Sequence, residues 1–354
     1  MTHGAVERGR RAIMSALVAD LLFGLSTPAA KALLTTTDPW LLAGLLYLGS
    51  GIGLGSLRLI LPIVGRAPRE APLRRTDVPW LVGAIVCGGG IGPVLLMSGL
   101  AGGSASEAAL LLNLEGVLTA VMAWLVFREH FDVRIAIGMA FITAGALVVA
   151  WQPGQGVPVG RHALFVAGAC LAWAIDNNLT RKVSGGDAVL IAAFKGGTAG
   201  AVNLTLGVAS GARLPGPGTL LGSGLVGLLG YGVSLMLFVR ALRDLGAART
   251  GAYFSTAPFI GAVVAVVAFE EPLTGRLVAG AVLMGIGVWL HVSERHGHEH
   301  VHESLEHDHL HRHDAHQTHD AGTPAGEPHA HWHVHAPLRH GHPHYPDLHH
   351  RHRH

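Results

Sequence analysis

Charge is what this sequence lacks most: of 354 residues only 14% are Asp, Glu, Lys or Arg, while 50% are apolar. A soluble surface carries charge at about a quarter of all positions, so most of this chain is too apolar to face water. Cysteine is nearly absent, with two in all, Cys87 and Cys170, each inside an apolar stretch. That argues against a disulfide framework or a cysteine metal site and fits two small packing residues. Also lacking are a nucleophile motif, a Walker motif and a histidine catalytic box within the apolar stretches, so an enzyme is the least favoured class. Nothing in the sequence points to a nucleic-acid partner.

What is present is a series of long apolar runs. A bilayer core takes roughly 20 such residues per helix. Ten stretches meet that length: 12–34, 40–62, 79–101, 106–127, 134–151, 162–181, 187–209, 219–241, 247–269 and 275–293. Short connections part them, with turn signals such as Thr37-Asp38-Pro39 and Pro215-Gly216-Pro217-Gly218. A signal peptide is the other reading of the first run, but its length and the later spans favour a retained helix. Basic residues alternate with the crossings. Arg8, Arg10, Arg11, then Arg58, Arg66, Arg69, Arg74 and Arg75, then Arg128 and Arg134, Arg181 and Lys182, Arg240, Arg243 and Arg249, and Arg295 fall on one side of a ten-span chain. The positive-inside rule makes that side cytoplasmic and puts both termini there.

The two halves echo each other. Shifted by 142 positions, Phe127 and Glu129 meet Phe269 and Glu271. Arg134, Gly138 and Gly145 meet Arg276, Gly280 and Gly287, and Ala120, Val121 and Ala123 meet Ala262, Val263 and Ala265. Nearer the start of each half, the run from Leu22-Phe23-Gly24 to Lys31 resembles that from Ala172-Trp173-Ala174 to Arg181. Five spans per half is an odd number, so the second half must cross upside down relative to the first. The expected fold is all-α integral membrane, with ten transmembrane helices as two inverted five-helix repeats and a disordered His-rich C-terminal tail. Its parts are an N-terminal segment 1–11, a first repeat 12–151, a linker 152–161, a second repeat 162–293 and the tail 294–354. Inverted repeats suit alternating access, because the two copies can exchange roles.

The run Ala108-Ala109-Leu110-Leu111-Leu112-Asn113-Leu114-Glu115-Gly116-Val117, followed by Trp124-Leu125-Val126-Phe127-Arg128-Glu129, resembles the fourth-helix signature of the EamA-type drug/metabolite transporters. Ser255-Thr256-Ala257-Pro258 and Phe269-Glu270-Glu271 repeat the resemblance in the second half. It covers residues 12–293. It implies ten helices around a central cavity and transport, often export, of small organic solutes. The sequence departs from the family pattern where Gly116 replaces a proline and Ala257 a glutamate.

Ionisable residues inside a membrane cost roughly 2.5–3.5 kcal/mol each on insertion scales and call for a function. Glu115 with Asn113, Asp20, Asp176 with Asn177 and Asn178, and Lys195 are the expected lining of a solute path. Glu115 is suited to hold a proton or a cationic group, and Lys195 to pair with Asp20 or Asp176 or to meet a substrate carboxylate. The alternative is a set of internal salt bridges that serve packing. Gly88-Gly89-Gly90-Ile91-Gly92-Pro93 predicts a hinge or unwound stretch around Gly90, Gly92 and Pro93, and Pro258 does the same in the ninth helix. For Gly49 with Gly53, and Gly196 with Gly200, close helix packing is the better reading.

Of 25 histidines, all but His3, His130, His162 and His291 lie at or beyond 296. They alternate with other residues, as His298, His300 and His302, then His307, His309, His311 and His313, then His331, His333 and His335. Imidazoles beside carboxylates suit zinc, nickel, cobalt or copper, in many overlapping sites. A response to pH is a second reading and an incidental low-complexity tail a third. No cofactor is required. The expectation is a multi-pass cell-membrane transporter of a small organic solute, with export implied by the family and a metal-binding cytoplasmic tail. The rivals are a divalent-metal transporter and a membrane metal sensor that transports nothing.

Overall fold

The computed structural model describes residues 3–63, 73–127, 133–151, 159–183, 186–245 and 254–292, and four short segments of the tail. From 3 to 292 the named elements among the described residues are all helices, with one isolated bridge between Trp151 and Val159. The helices are α1 (His3–Leu33), α2 (Pro39–Ile63), α3 (Arg75–Gly102), α4 (Ala105–Leu111 and Leu114–Phe127), α5 (Val133–Ala150) and α6 (Arg161–Val183). They continue as α7 (Ala188–Ala209), α8 (Pro217–Val226, Gly227–Val233 and Ser234–Leu245), α9 (Ala257–Ala268) and α10 (Gly275–Val292). The first eight are long and apolar enough to cross a membrane, and Ala257–Ala268 and Gly275–Leu290 are shorter apolar helices. The outer surface is correspondingly greasy. Ile52, Leu59, Leu125, Leu221 and Val267 are each more than 60% exposed, which suits lipid rather than water.

Polar residues at the helix starts set several boundaries. Asp38 Oδ1 accepts from Trp40 N at 2.8 Å ahead of α2, and Ser104 Oγ accepts from Glu107 N at 3.1 Å ahead of α4. Asp187 accepts from Val189 N and Leu190 N ahead of α7, and pairs with Arg58 Nε of α2 at 2.7 Å. Each satisfies backbone amides that have no partner inside the helix.

Glycine sets the packing. α2 lies along α7, and α5 along α10. A side chain on Gly145 would come within 2.7 Å of Gly280 O, and one on Gly287 within 2.5 Å of Gly138 O. The backbones of α5 and α10 therefore touch, as small residues permit in a membrane. α1 packs on α8 and α9, and α6 packs on α3 and α4.

One sequence expectation needs correction. The glycine-rich stretch of α3 is not unwound: Ile85–Ile91 is a π-helical segment and the helix runs through it, with Gly92 and Pro93 beginning the α-helical turns beyond. A second π segment, Gly227–Val233, interrupts α8 at a shift of 142 positions (227 minus 85). Pro258 follows a turn at Ser255 and Thr256 that parts the helical residue Phe254 from Ala257–Ala268. It sits in the first turn of α9, where its missing N–H has no intrahelical acceptor to lose.

The tail was expected without order. Its described segments instead form two antiparallel strand pairs: Gly297–His302 with Leu338–Pro343, and Leu305–His311 with His329–His335. Histidine at every second position has the period of a pleated strand, which composition alone does not reveal. His313 and the remaining tail segments lie outside the described residues, as do the histidine side chains.

Candidate functional site

The site is built where α4 breaks. Leu112 and Asn113 separate its two helical segments. Asn113 is 6% exposed, and its Nδ2 donates to Leu110 O at 3.0 Å, closing the turn. Glu115 follows in the first turn of Leu114–Phe127. Its Oε1 accepts from Asn177 Nδ2 of α6 at 2.8 Å, and Asn177 is itself exposed. Thr119 Oγ1 lies 3.4 Å from the same nitrogen. Beside it, Asn178 Nδ2 donates to Ala174 O at 2.8 Å and Thr119 O at 3.3 Å, tying α6 to α4.

One residue back on α6, Asp176 takes Lys195 Nζ of α7 at 2.5 and 2.7 Å. Both residues are 6% exposed. Thr180 completes the group, donating to Asp176 Oδ1 at 2.7 Å and accepting from Lys195 Nζ at 3.2 Å. Burying both charges costs desolvation, which their direct contact and the added Thr180 hydrogen bonds offset.

Asp176 fits because Gly88 of α3 has no side chain to occupy the same space. The wide π turns leave carbonyls that the helix does not take up, and three neighbours use them. Tyr47 Oη and Trp173 Nε1 each donate to Gly88 O at 2.8 Å, and Asn203 Nδ2 donates to Gly89 O at 2.9 Å and Gly90 O at 3.3 Å. Side chains from α2, α6 and α7 thus converge on the glycine stretch that the sequence marked.

Of the residues expected on the path, the structure groups Glu115, Asn177, Asp176 and Lys195, with Asn113 at the adjoining break. Asp20 is elsewhere. It is 1% exposed, its Oδ2 accepts from Thr256 Oγ1 ahead of α9, and its Oδ1 is buried without a hydrogen-bond partner. Lys195 therefore resolves its two expected partners in favour of Asp176. Sequence reasoning missed Thr119, Thr180, Tyr47, Trp173 and Asn203. Threonine spaced four residues from Glu115 and from Asp176 was the signal for the first two.

The charges do not cancel. Asp176 neutralises Lys195, and among the described residues no cation lies within ion-pair distance of Glu115. An amide alone faces its carboxylate. The arrangement offers a carboxylate beside an exposed amide, Asn177, and a half-buried hydroxyl, Thr119, which can hold a proton or an ammonium. No group of three or more metal-ligating side chains occurs among the described residues.

Comparison with known proteins agrees with this architecture. An uncharacterized transporter of Methanothermobacter thermautotrophicus is 26% identical over 302 residues, spanning 81% of this chain and 88% of that protein. A crystal structure of a protein at 18% identity superposes with a TM-score of 0.58 over 79% of this chain and 95% of that one, a likeness of fold. The EamA-like transporter family matches twice, at residues 10–151 and 161–293. The chain belongs to the EamA-like transporter family.

Proposed function

We propose that the protein is a secondary transporter that moves a small organic solute by alternating access, and that the solute carries an amine or other cationic group. The observation behind this is the unpaired Glu115 carboxylate at the break in α4, next to exposed Asn177. A solute anion would be repelled by this carboxylate, and Lys195 is held by Asp176. The Asp176–Lys195 pair is read as the fixed wall of the path, joining α6 to α7.

Ten spans in two inverted repeats remain the organisation we favour. Its support is the common shift of 142 between the two π segments, and between Gly138 and Gly280 and Gly145 and Gly287 where α5 meets α10. The partners also interchange: α1 with α8 and α9 corresponds to α6 with α3 and α4. Both termini are cytoplasmic in this organisation, and export is the direction we favour because the family resemblance implies it.

Glu115→Gln tests the reading. The variant is expected to reach the membrane in normal amount and to lose solute flux by at least tenfold, as removal of an interaction worth about 1.4 kcal/mol would. Unchanged flux would remove Glu115 from the path.

A second reading, divalent-metal transport with a collecting tail, draws on the strand register. His307 lies opposite His333, His309 opposite His331, His298 opposite His342 and His300 opposite His340. Such cross-strand positions stand about 5 Å apart, a spacing that two imidazoles can bridge with zinc, nickel, cobalt or copper. Deleting residues 296–354 is expected to abolish metal binding by the purified protein and to leave cellular metal resistance and accumulation unchanged. A change in either would favour the metal-transport reading.

A further inference from the structure

Two charged side chains meet at one end of the bundle, where α1 and α3 finish and α4 begins. Lys31 Nζ, at the end of α1, donates to Leu100 O at 2.6 Å and Gly103 O at 2.7 Å, at the end of α3. Glu271 lies between α9 and α10. Its Oε1 accepts from Ala105 N at 2.7 Å and its Oε2 from Ser106 N at 2.9 Å, in the first turn of α4. A cation sits on the carbonyl end of one helix and a carboxylate on the amide end of the next. Each meets the backbone charge of opposite sign.

Neither contact is local in sequence. Lys31 reaches about 70 residues along the chain and Glu271 about 165, from the other half. Together they pin the α3–α4 corner from both sides. Glu270, in the left-handed region at φ 52°, turns the chain after α9 so that Glu271 faces back to that corner. A non-glycine residue adopts this conformation only at a cost, which the two amide contacts of Glu271 offset.

Resting on the alternating-access reading above, we propose that Lys31 and Glu271 form a latch that closes this end of the path and must release for the solute to pass there. The closed contacts are made to backbone ends, so small rotations of α1 and α9 away from the α3–α4 corner break both without rebuilding a side-chain core. The sequence supplies the opposing element. Arg181 occupies the place of Lys31 in the second half, and Glu129 that of Glu271 in the first, each with its charge kept although few neighbouring positions are. In the inverted organisation proposed above, both fall at the opposite end. Glu129 and the side chain of Arg181 lie outside the described residues, and they enter as the control in the test.

The experiment uses the full chain in proteoliposomes with Cys87 and Cys170 replaced by serine and single probes Ala108→Cys or Thr119→Cys, labelled by a membrane-impermeant maleimide. Ala108 is 3% exposed, just inside the latch, and Thr119 lies beyond Glu115. Glu271→Gln and Lys31→Met are each expected to raise the ratio of Ala108 to Thr119 probe labelling about tenfold, and Glu129→Gln to lower it. A static helix cap would leave the ratio unchanged. No change in either latch variant, or a shift in the same direction with Glu129→Gln, overturns the proposal. Unfolding raises both probes together and so does not imitate a ratio change; Lys31→Met then decides if Glu271→Gln unfolds. Opposite shifts with no solute flux in any variant would keep the latch and reject transport.

Discussion

At the scale of single residues, the contrast between Glu115 and Asp176 decides the chemistry. Both are carboxylates in apolar helices, and the sequence treats them alike. The fold gives Asp176 a lysine and a threonine and gives Glu115 the amide of Asn177. Removing one member of a buried pair strands the other charge and costs about 3–5 kcal/mol, whereas removing both is far milder. Lys195→Met alone is therefore expected to lower the thermal midpoint in detergent markedly, and Lys195→Met with Asp176→Leu to recover most of it. Equal losses in the single and double variants would show that the pair does not act as a unit. Asp20 illustrates the limit of reading residues singly: its polarity was visible, its partner Thr256, 236 positions away, was not.

Elements act through their ends. The loop carrying Glu271 is tied to α4 by the two amides from which its carboxylate accepts. Burial by itself pushes that carboxyl up, but hydrogen bonds from Ser106, Ala105 and Ser104 outweigh it and leave it below the ordinary 4.5. A depressed folded value means the contact contributes stability at every pH above the unfolded value and loses it as pH falls through the folded one. The ratio of Ala108 to Thr119 probe labelling, in which the common loss of thiolate with falling pH cancels, should therefore stay flat from pH 7 to 5 and rise only below 4.5; a rise between 6 and 5 would contradict it. Interrupted elements were partly legible. Six residues from Gly88 to Pro93 announced a departure from the α-helix, but its form depended on Tyr47, Trp173 and Asn203 arriving to take the spare carbonyls. The break at Leu112 and Asn113 had no comparable mark, because neither residue is a helix breaker in isolation.

For the whole molecule, the arrangement of basic loops makes a direct prediction. Reporter fusions at either terminus are expected to report the cytoplasm, and an external signal from the C-terminus would end the ten-span organisation. The tail shows how composition can mislead at this scale. Its few apolar residues argued against any order, while the alternation of His307, His309 and His311 carried the period of the strands it forms.

The sequence by itself determined that this chain enters a membrane, where most of its helices begin and end, and which family it joins. Those features rest on apolar run length, capping residues and a signature, all of which are local. Only the tertiary structure decided that Lys195 belongs to Asp176, that Glu115 meets the amide of Asn177, and that Lys31 and Glu271 close on one corner. Each of these joins residues far apart in the chain, and in an apolar interior a charge takes whichever partner the packing brings within reach.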